Sequence, residues 1–380
     1  MKAINKLLIT QFLSAMADNM VLLATIHIIT LSNLGDIYTG IVQASFFIAY
    51  VILAPYAGIL SEKIAKSTSL CVGNAFKFAG TISLLLGVSP ALSYAMVGVG
   101  ACLYSPGKYA LLREVTSNDE ELYKANGLIE GSTITAILIG TVLGGFLAER
   151  NINLTMGIIL ACYVVSVIFA TIIPKGEVIQ VTFKGAWGDF GKDIKSLCSI
   201  KEAKVSLLGS SAFWMISAVV RLSALAWIPV ALNIGDDKAT LYMGATAVGI
   251  MVGAVVSHRL IPLNNLKRLV YIGFGMALTV GVIGFLPHLI ITGILSFLAG
   301  FLGGAYMIPL NTILQQKGMV VGNGKTIAIQ NFFENSLMVI GTLTYSGALK
   351  MGVTIPFILL GFGIIFALIV TVVQKGVKES

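Results

Sequence analysis

One carboxylate lies deep inside the first long apolar stretch of this sequence. Asp18 stands in QFLSAMADNMVLLATI, residues 11–26, roughly 18 Å along a helix that starts near Lys6, at about 1.5 Å per residue. That depth is past the middle of a hydrocarbon core about 30 Å thick. Because a carboxylate there is costly, it normally faces protein or a water-filled cavity and marks a pathway. Asp18, with Asn19 beside it, is therefore the first candidate for binding a polar substrate.

A cation occupies a similar position in the second half of the chain. Arg221 lies inside a later apolar segment, and Asp18 and Arg221 are each the only full charge within their predicted spanning segments. Two interpretations stay open: a salt bridge that closes one side of a cavity, or direct contact with charged groups of a substrate. A pair that gates by breaking would satisfy both. Neither side chain is expected to face lipid.

Two acids with neighbouring amides form a second candidate group. Glu130 and Glu334 are predicted one to two turns from the cytoplasmic ends of their helices, and Asn126 and Gln330 precede them by one turn on the same face. The functional interpretation is a polar cytoplasmic mouth whose protonation could couple to a proton gradient; the alternative is helix capping and packing. Two further amides, Asn331 and Asn335, are spaced in the same way.

The segment YSPGKY adds a cation and an aromatic hydroxyl. Lys108 follows a Pro-Gly break and is a candidate contact for a phosphate, and Tyr104 opens the same segment. Lys77, in GNAFKFAG, is interpreted as a lysine near one end of its helix that extends its ammonium toward the interface. The histidines and cysteines are scattered without ligand spacing, so no metal site and no cofactor are expected.

Composition identifies the elements that must position these residues. The chain is 57% hydrophobic and 11% charged, whereas a soluble domain carries about 25% charged residues. Apolar runs of spanning length recur throughout, which predicts a polytopic helical membrane protein. Because MKAINK leads directly into a full-length span with no small-residue cleavage site, we expect no cleavable signal. Twelve segments are predicted: 7–31, 39–61, 68–88, 92–113, 126–148, 154–173, 205–232, 241–260, 268–286, 289–313, 326–348 and 354–374.

The distribution of basic residues fixes the predicted orientation. With the N-terminus inside, twenty Lys and Arg residues fall on the cytoplasmic side and three on the opposite side. Both termini are therefore predicted to be cytoplasmic. The net charge of +8 follows this topology, so it does not indicate nucleic-acid binding.

A weak internal repeat predicts the fold. Glu130 and Glu334 align at an offset of 204, and Pro106 with Pro309 and Asp18 with Arg221 at 203. Parallel six-helix repeats are the architecture of the major facilitator superfamily, with substrate near midplane between the halves. We therefore predict an all-α membrane protein with twelve helices in two bundles around a central cavity. The predicted parts are an N-terminal bundle at 1–173, a basic, mildly amphipathic cytoplasmic linker at 174–204 and a C-terminal bundle at 205–380. We expect the linker to lie on the surface of the cytoplasmic leaflet, with a regulatory site as the alternative.

A charged loop motif supports this fold. GILSEKIAKS, residues 58–67, resembles the superfamily's loop signature of glycine, acid and bases, with Gly58, Glu62, Lys63 and Lys66 in the matching places. Charge pairs there would hold the cytoplasmic helix ends in one state and release them in another. The alternative is a set of ordinary cytoplasmic lysines.

Several motifs together resemble one subfamily, the bacterial lysophospholipid transporters. They are QFLSA followed by DN (11–19), YSP then KY (104–109), KANGL then E then ST (124–133), W-x-PVAL (227–232), PLN then LQ (309–315), and A-x-QN then EN (328–335). The resemblance implies movement of lysophospholipids, such as lysophosphatidylethanolamine, from the outer to the inner leaflet of a bacterial inner membrane. A separate acyltransferase–acyl-ACP synthetase would then reacylate them.

The rival hypotheses share only part of this pattern. A proton-coupled drug or metabolite exporter would have the same fold and the same charged loop. A membrane acyltransferase would need His-x-x-x-x-Asp, but Ser32, Leu263 and Gly293 stand five residues after the three histidines. We therefore expect a transporter without enzymatic activity.

Overall fold

The computed structural model describes residues 2–32, 36–175, 178–234, 236–263 and 265–378, and their regular structure is helical. The residues before the linker form α1 (Ala3–Leu31), α2 (Asp36–Ile52), α3 (Ala54–Lys63), α4 (Lys66–Leu85), α5 (Pro90–Glu114), α6 (Asp119–Arg150) and α7 (Ile152–Thr171). The linker contains α8 (Ala186–Ser199). The rest forms α9 (Lys201–Leu232), α10 (Asp236–Leu260), α11 (Lys267–Ile283), α12 (Leu289–Lys317), a short 3₁₀ turn (Gly318–Val320), α13 (Asn323–Lys350) and α14 (Ile355–Lys378).

Each of the twelve predicted segments coincides with a helix, except that the second is divided. Its two parts, α2 and α3, meet at Leu53 and are bent by 60°. Pro55 lies in the first turn of α3, where it has no N–H to continue the hydrogen-bond ladder of α2. In the described part of the chain, seven helices are long and apolar enough to span a membrane alone, or eight with this bent pair.

Two helices begin earlier than their apolar runs predict. The Asn118 side chain accepts a hydrogen bond from the Glu121 N–H at 2.8 Å, and acidic residues fill the first turn of α6, which suits a helix N-terminus. Because α6 begins at Asp119 and α13 at Asn323, Glu130 and Glu334 each lie about three turns inside. Their predicted depth of one to two turns is therefore wrong.

The chain forms two compact units, and of their boundaries only the one between residues 196 and 197 lies within the predicted linker. The first unit comprises residues 1–117, 135–196 and 318–332; the second comprises 118–134, 197–317 and 333–380. In the first unit α4 packs closely on α5 through facing glycines, because a Cβ on Gly73 would lie 2.7 Å from the Gly100 carbonyl oxygen. In the second unit α10 packs on α12 in the same manner, with Gly304 against the backbone of α10.

The start of one helix from each sequence half lies in the unit built mainly by the other half. Residues 318–332, with the start of α13, belong to the first unit, and residues 118–134, with the start of α6, belong to the second. Gly58 of α3 faces Ala328 in the first unit, and Gly127 faces Ala254 of α10 in the second. The first residues of α6 and α13 are 204 positions apart, the offset at which Glu130 and Glu334 align.

Candidate functional site

The Asp18 carboxylate is held by two buried side chains of the first unit. Lys77 Nζ donates to Oδ2 at 2.7 Å and the Tyr163 hydroxyl donates to Oδ1 at 2.8 Å. The Lys77 side chain is 2% exposed and that of Asp18 is 18% exposed. Lys77 therefore does not extend toward an interface, and that sequence-based interpretation is wrong: it is the internal counter-ion of Asp18.

Lys77 has two further contacts that fix its position. Its ammonium donates to Ser14 Oγ at 2.8 Å and lies 4.6 Å from the centre of the Tyr104 ring. Polar residues continue this network toward one end of α1: Asn74 accepts from Ser14 at 2.7 Å and donates to Ser166 at 2.8 Å. The network joins α1, α4 and α7 by buried hydrogen bonds, so the charge pair rests in a rigid polar setting.

Tyr104 and Lys108 lie one turn apart on α5, and both are buried. The Tyr104 hydroxyl has no hydrogen-bond partner among the described residues. The Lys108 ammonium lies 4.0 Å from the centre of the Tyr109 ring, a distance typical of a cation–π contact. Both residues thus place a polar group inside the first unit, and their predicted contact with substrate remains a prediction.

The predicted amides occupy different surroundings. Asn126 and Gln315 exchange hydrogen bonds through their side chains at 3.0 and 3.3 Å in the second unit. Asn331 donates to Ser105 Oγ at 3.0 Å in the first unit, and Asn19 donates to the Ala15 carbonyl of its own helix at 2.8 Å. The Asn126 side chain thus contributes to packing between helices, which supports the alternative interpretation of helix capping and packing.

The remaining predicted residues lie on α6, α9 and α13. Glu130, Glu334 and Gln330 are buried, whereas Arg221 on α9 is exposed. Buried carboxylates at this depth are costly unless they are paired. Their assignment to substrate binding remains a prediction.

The predicted cytoplasmic gate is assembled around Glu62. Its Oε1 accepts the Gly324 N–H at 2.7 Å, and Lys66 Nζ lies 3.3 Å from Oε2. Gly324 belongs to the first turn of α13, whose N–H groups lack partners within the helix and carry the positive end of its dipole. A Cβ on Gly324 would collide with the Ser61 hydroxyl, and one on Gly58 would lie 3.0 Å from Ala328 Cβ. The loop motif thus fastens the end of α3 to the start of α13.

The linker covers this contact. The Ile179 N–H donates to the Glu62 carbonyl at 2.8 Å, and Lys63 Nζ lies 4.6 Å from the Phe183 ring. Asp193 of α8 pairs with Lys325 at 3.0 Å. Phe190 and Leu197 of α8 are buried, so one face of α8 packs on protein, a contact that a segment lying only on the membrane surface would not make. Residues 176 and 177 of the predicted linker lie outside the described residues.

Another pair is confined to the surface of α8. Lys192 donates to Asp189 at 2.9 Å, and this hydrogen bond, with the charge attraction, lowers the pKa of the Asp189 carboxyl and raises that of Lys192. Both side chains are exposed, so the pair contributes little to stability.

Sequence reasoning missed the residues that hold Asp18. Ser14 and Asp18 are four residues apart on α1, and Asn74 and Lys77 are three apart on α4, so each pair shares one helix face. This polar spacing inside apolar segments was the available signal for Lys77, Ser14 and Asn74. Tyr163 offered no comparable signal, because a single tyrosine in an apolar helix is common.

Comparisons with known proteins agree on the family. The model of the Major Facilitator Superfamily matches residues 7–342. The chain is similar to the lysophospholipid transporter LplT of Enterobacter sp. (strain 638), with 37% identity over 95% of this chain and 92% of that protein. It is also similar to the lysophospholipid transporter LplT of Yersinia enterocolitica serotype O:8 / biotype 1B, with 36% identity over 92% of this chain and 87% of that protein.

Solved structures support the fold alone. The Major Facilitator Superfamily transporter FucP in the outward conformation has a TM-score of 0.75 at 14% identity, covering 98% of both chains. A bacterial homologue of the iron transporter ferroportin in the outward-facing state has the same TM-score and identity, covering 99% of this chain and all of that one. These helices, the family match and the two relatives lead to one conclusion: the chain is a multi-pass membrane protein that belongs to the lysophospholipid transporters of the Major Facilitator Superfamily.

Proposed function

We propose that this protein moves lysophospholipids, such as lysophosphatidylethanolamine, from the outer to the inner leaflet of a bacterial inner membrane by alternating access. The names of its relatives support the substrate class. The structural observation that carries the proposal is Asp18, a partly exposed carboxylate that forms an ion pair with the buried Lys77. A carboxylate kept at such depth is suited to a polar group that passes it.

Headgroup chemistry assigns the proposed contacts. The ammonium of an ethanolamine headgroup would meet Asp18, and its phosphate would meet Arg221 and Lys108. The Tyr104 hydroxyl, which has no hydrogen-bond partner among the described residues, would donate to a headgroup oxygen. Asn19, Asn126, Glu130, Gln330, Asn331 and Glu334 complete the proposed polar lining. The mostly apolar side chains of the helices would accept the single acyl chain.

The moving parts are proposed to be the bundles at 1–173 and 205–380, joined by the linker at 174–204. Glu62 and Lys66, with Gly58 and Lys63, would fasten the cytoplasmic end in one state and release it in the other. The hydrogen bond from Gly324 to Glu62 supports this role, because it joins helices from the two sequence halves.

The distribution of basic residues supports the proposed orientation of the protein in its membrane. Twenty Lys and Arg residues against three support cytoplasmic termini in an inner membrane. We propose that a separate acyltransferase–acyl-ACP synthetase reacylates the delivered lysolipid, as the resemblance to the bacterial lysophospholipid transporters implies.

Purified protein in liposomes tests the proposal. Labelled lysophosphatidylethanolamine is added outside, and inward movement is followed by back-extraction with albumin, with and without a proton gradient. Asp18→Asn should lower the initial rate by roughly 10- to 100-fold, the value of one charged hydrogen bond, while the exposed control Glu120→Gln should not. Movement without a gradient would exclude proton coupling through Glu130 and Glu334. No movement by the unaltered protein in either condition would refute the proposal.

A further inference from the structure

Lys77 has a position that distinguishes it from a substrate-binding cation. Its ammonium is directed at Asp18 Oδ2, Ser14 Oγ and the Tyr104 ring, and its side chain is 2% exposed. Lysine has three donor hydrogens, and these contacts account for them. A passing headgroup therefore meets the Asp18 carboxylate and not the lysine behind it.

The stem of Lys77 is also prevented from moving. A Cβ added at Gly100 would lie 2.6 Å from Lys77 Cγ and 2.9 Å from its backbone nitrogen, so α5 presses on this side chain where only glycine fits. Tyr104, one turn further along α5, then covers the ammonium. The lysine thus stays beside Asp18 because the α4–α5 packing leaves it no other place.

We propose that Lys77 determines the headgroup charge that the site tolerates. By neutralising Asp18 from inside the first unit, it lets anionic lysophospholipids pass a carboxylate that would otherwise repel their phosphate. An uncompensated unit charge some 8 Å from a phosphate, at an effective dielectric constant near 20, changes binding by at least about tenfold. Lys77 acts through Asp18, so it is a positioning and charge-compensating residue. The inference rests on the proposed function, since it concerns which lysophospholipids are carried.

The test compares two lipids in the same liposome assay. Initial inward rates of anionic lysophosphatidylglycerol and zwitterionic lysophosphatidylethanolamine are measured for the unaltered protein, Lys77→Met, Asp18→Asn and the double variant. Lys192→Met, which removes an exposed and paired lysine, is the matched control. The ratio of the two rates is the readout, because a purely structural role would lower both rates together.

Lys77→Met should lower the ratio of the lysophosphatidylglycerol rate to the lysophosphatidylethanolamine rate at least about tenfold. The double variant should raise the ratio at least to that of the unaltered protein, because no carboxylate then repels the anionic lipid while the ethanolamine lipid still lacks its contact with Asp18. Lys192→Met should leave the ratio unchanged. Equal loss of both rates in Lys77→Met, with an unchanged ratio, would overturn the inference. Lys77→Gln replaces Lys77→Met if the latter does not accumulate in membranes.

A second measurement separates this inference from the proposed function. The melting temperatures of the same four proteins in detergent form a double-mutant cycle that needs no transport. Each single variant should melt lower than the double variant, because each leaves one of the two charges inside the first unit without its ionic partner. If the decreases in melting temperature of the two single variants simply add in the double variant, the charge compensation is overturned even if transport occurs. If the unaltered protein moves neither lipid, the proposed function fails while the cycle still decides whether Lys77 compensates Asp18.

Discussion

The hydrogen bond between Glu62 and α13 predicts a measurable change in the opening of the cytoplasmic gate. Glu62 is 4% exposed and accepts the Gly324 N–H at 2.7 Å. Glu62→Gln keeps the shape and one acceptor oxygen but removes the charge. We expect the contact between α3 and α13 to open more often in this variant.

The size of the effect follows from the geometry. A hydrogen bond to a charged group contributes about 1.5–3 kcal/mol, against about 0.5–1.5 kcal/mol for a neutral one. Attraction between the carboxylate and the positive end of the α13 dipole stabilises the closed arrangement by up to about 1 kcal/mol more. The substitution should therefore cost the closed arrangement about 1–2 kcal/mol, which raises the open fraction roughly 5- to 30-fold.

Cysteine labelling measures this fraction. Ala328 is 1% exposed and faces Gly58, so a cysteine placed there reacts only when α3 and α13 separate. The four native cysteines are replaced first, and the labelling rate of Ala328→Cys is compared with and without Glu62→Gln. Glu120→Gln, whose side chain is 77% exposed in the parent protein, is the control and should leave the rate unchanged. An unchanged rate in Glu62→Gln would refute the holding role of the carboxylate.

Two further predictions concern packing. Gly100→Ala should lower the melting temperature, because its Cβ would press on the stem of Lys77 and overpacking costs about 1–3 kcal/mol. The control Gly157→Ala, with open space around its Cβ, should leave the melting temperature unchanged. Equal melting temperatures of the two variants would contradict this prediction. Asn126→Leu and Gln315→Leu should each destabilise the protein by leaving a buried amide without its partner. The double variant should lose less stability than the two single variants lose together. Strictly additive losses of stability would contradict the reciprocal pairing.

The helical architecture was predictable from sequence because each span is a long apolar run bounded by a polar break. The importance of Asp18 was predictable for the same reason, since an ionised group in hydrocarbon is costly whatever surrounds it. The starts of α6 and α13 were not predictable from hydropathy. DEELYK and NGK are polar, yet their residues are helical. In α6, the Asn118 cap and the first-turn acids stabilise the start of the helix.

The polar spacing on α4 was a signal that Lys77 lies inside the protein, but its pairing with Asp18 could not be read from the sequence. Lys77 is 59 residues away, and its contact depends on α4 and α5 approaching closely at Gly73 and Gly100. Such contacts between helices are set by packing, which no single-segment pattern reports. The bend at Leu53 is an intermediate case, because Pro55 indicated a break but the apolar run concealed it.

The assignment of residues 318–332 to the first unit has a consequence for biosynthesis. The ribosome delivers residues 1–196 long before it delivers the start of α13, and at about 5–20 residues per second the delay is on the order of ten seconds. During that interval the end of α3, with Gly58 and Glu62, lacks its helix partner from the other sequence half. A nascent chain truncated at the linker should therefore be sensitive to membrane proteases, and co-expression of the missing half should protect it.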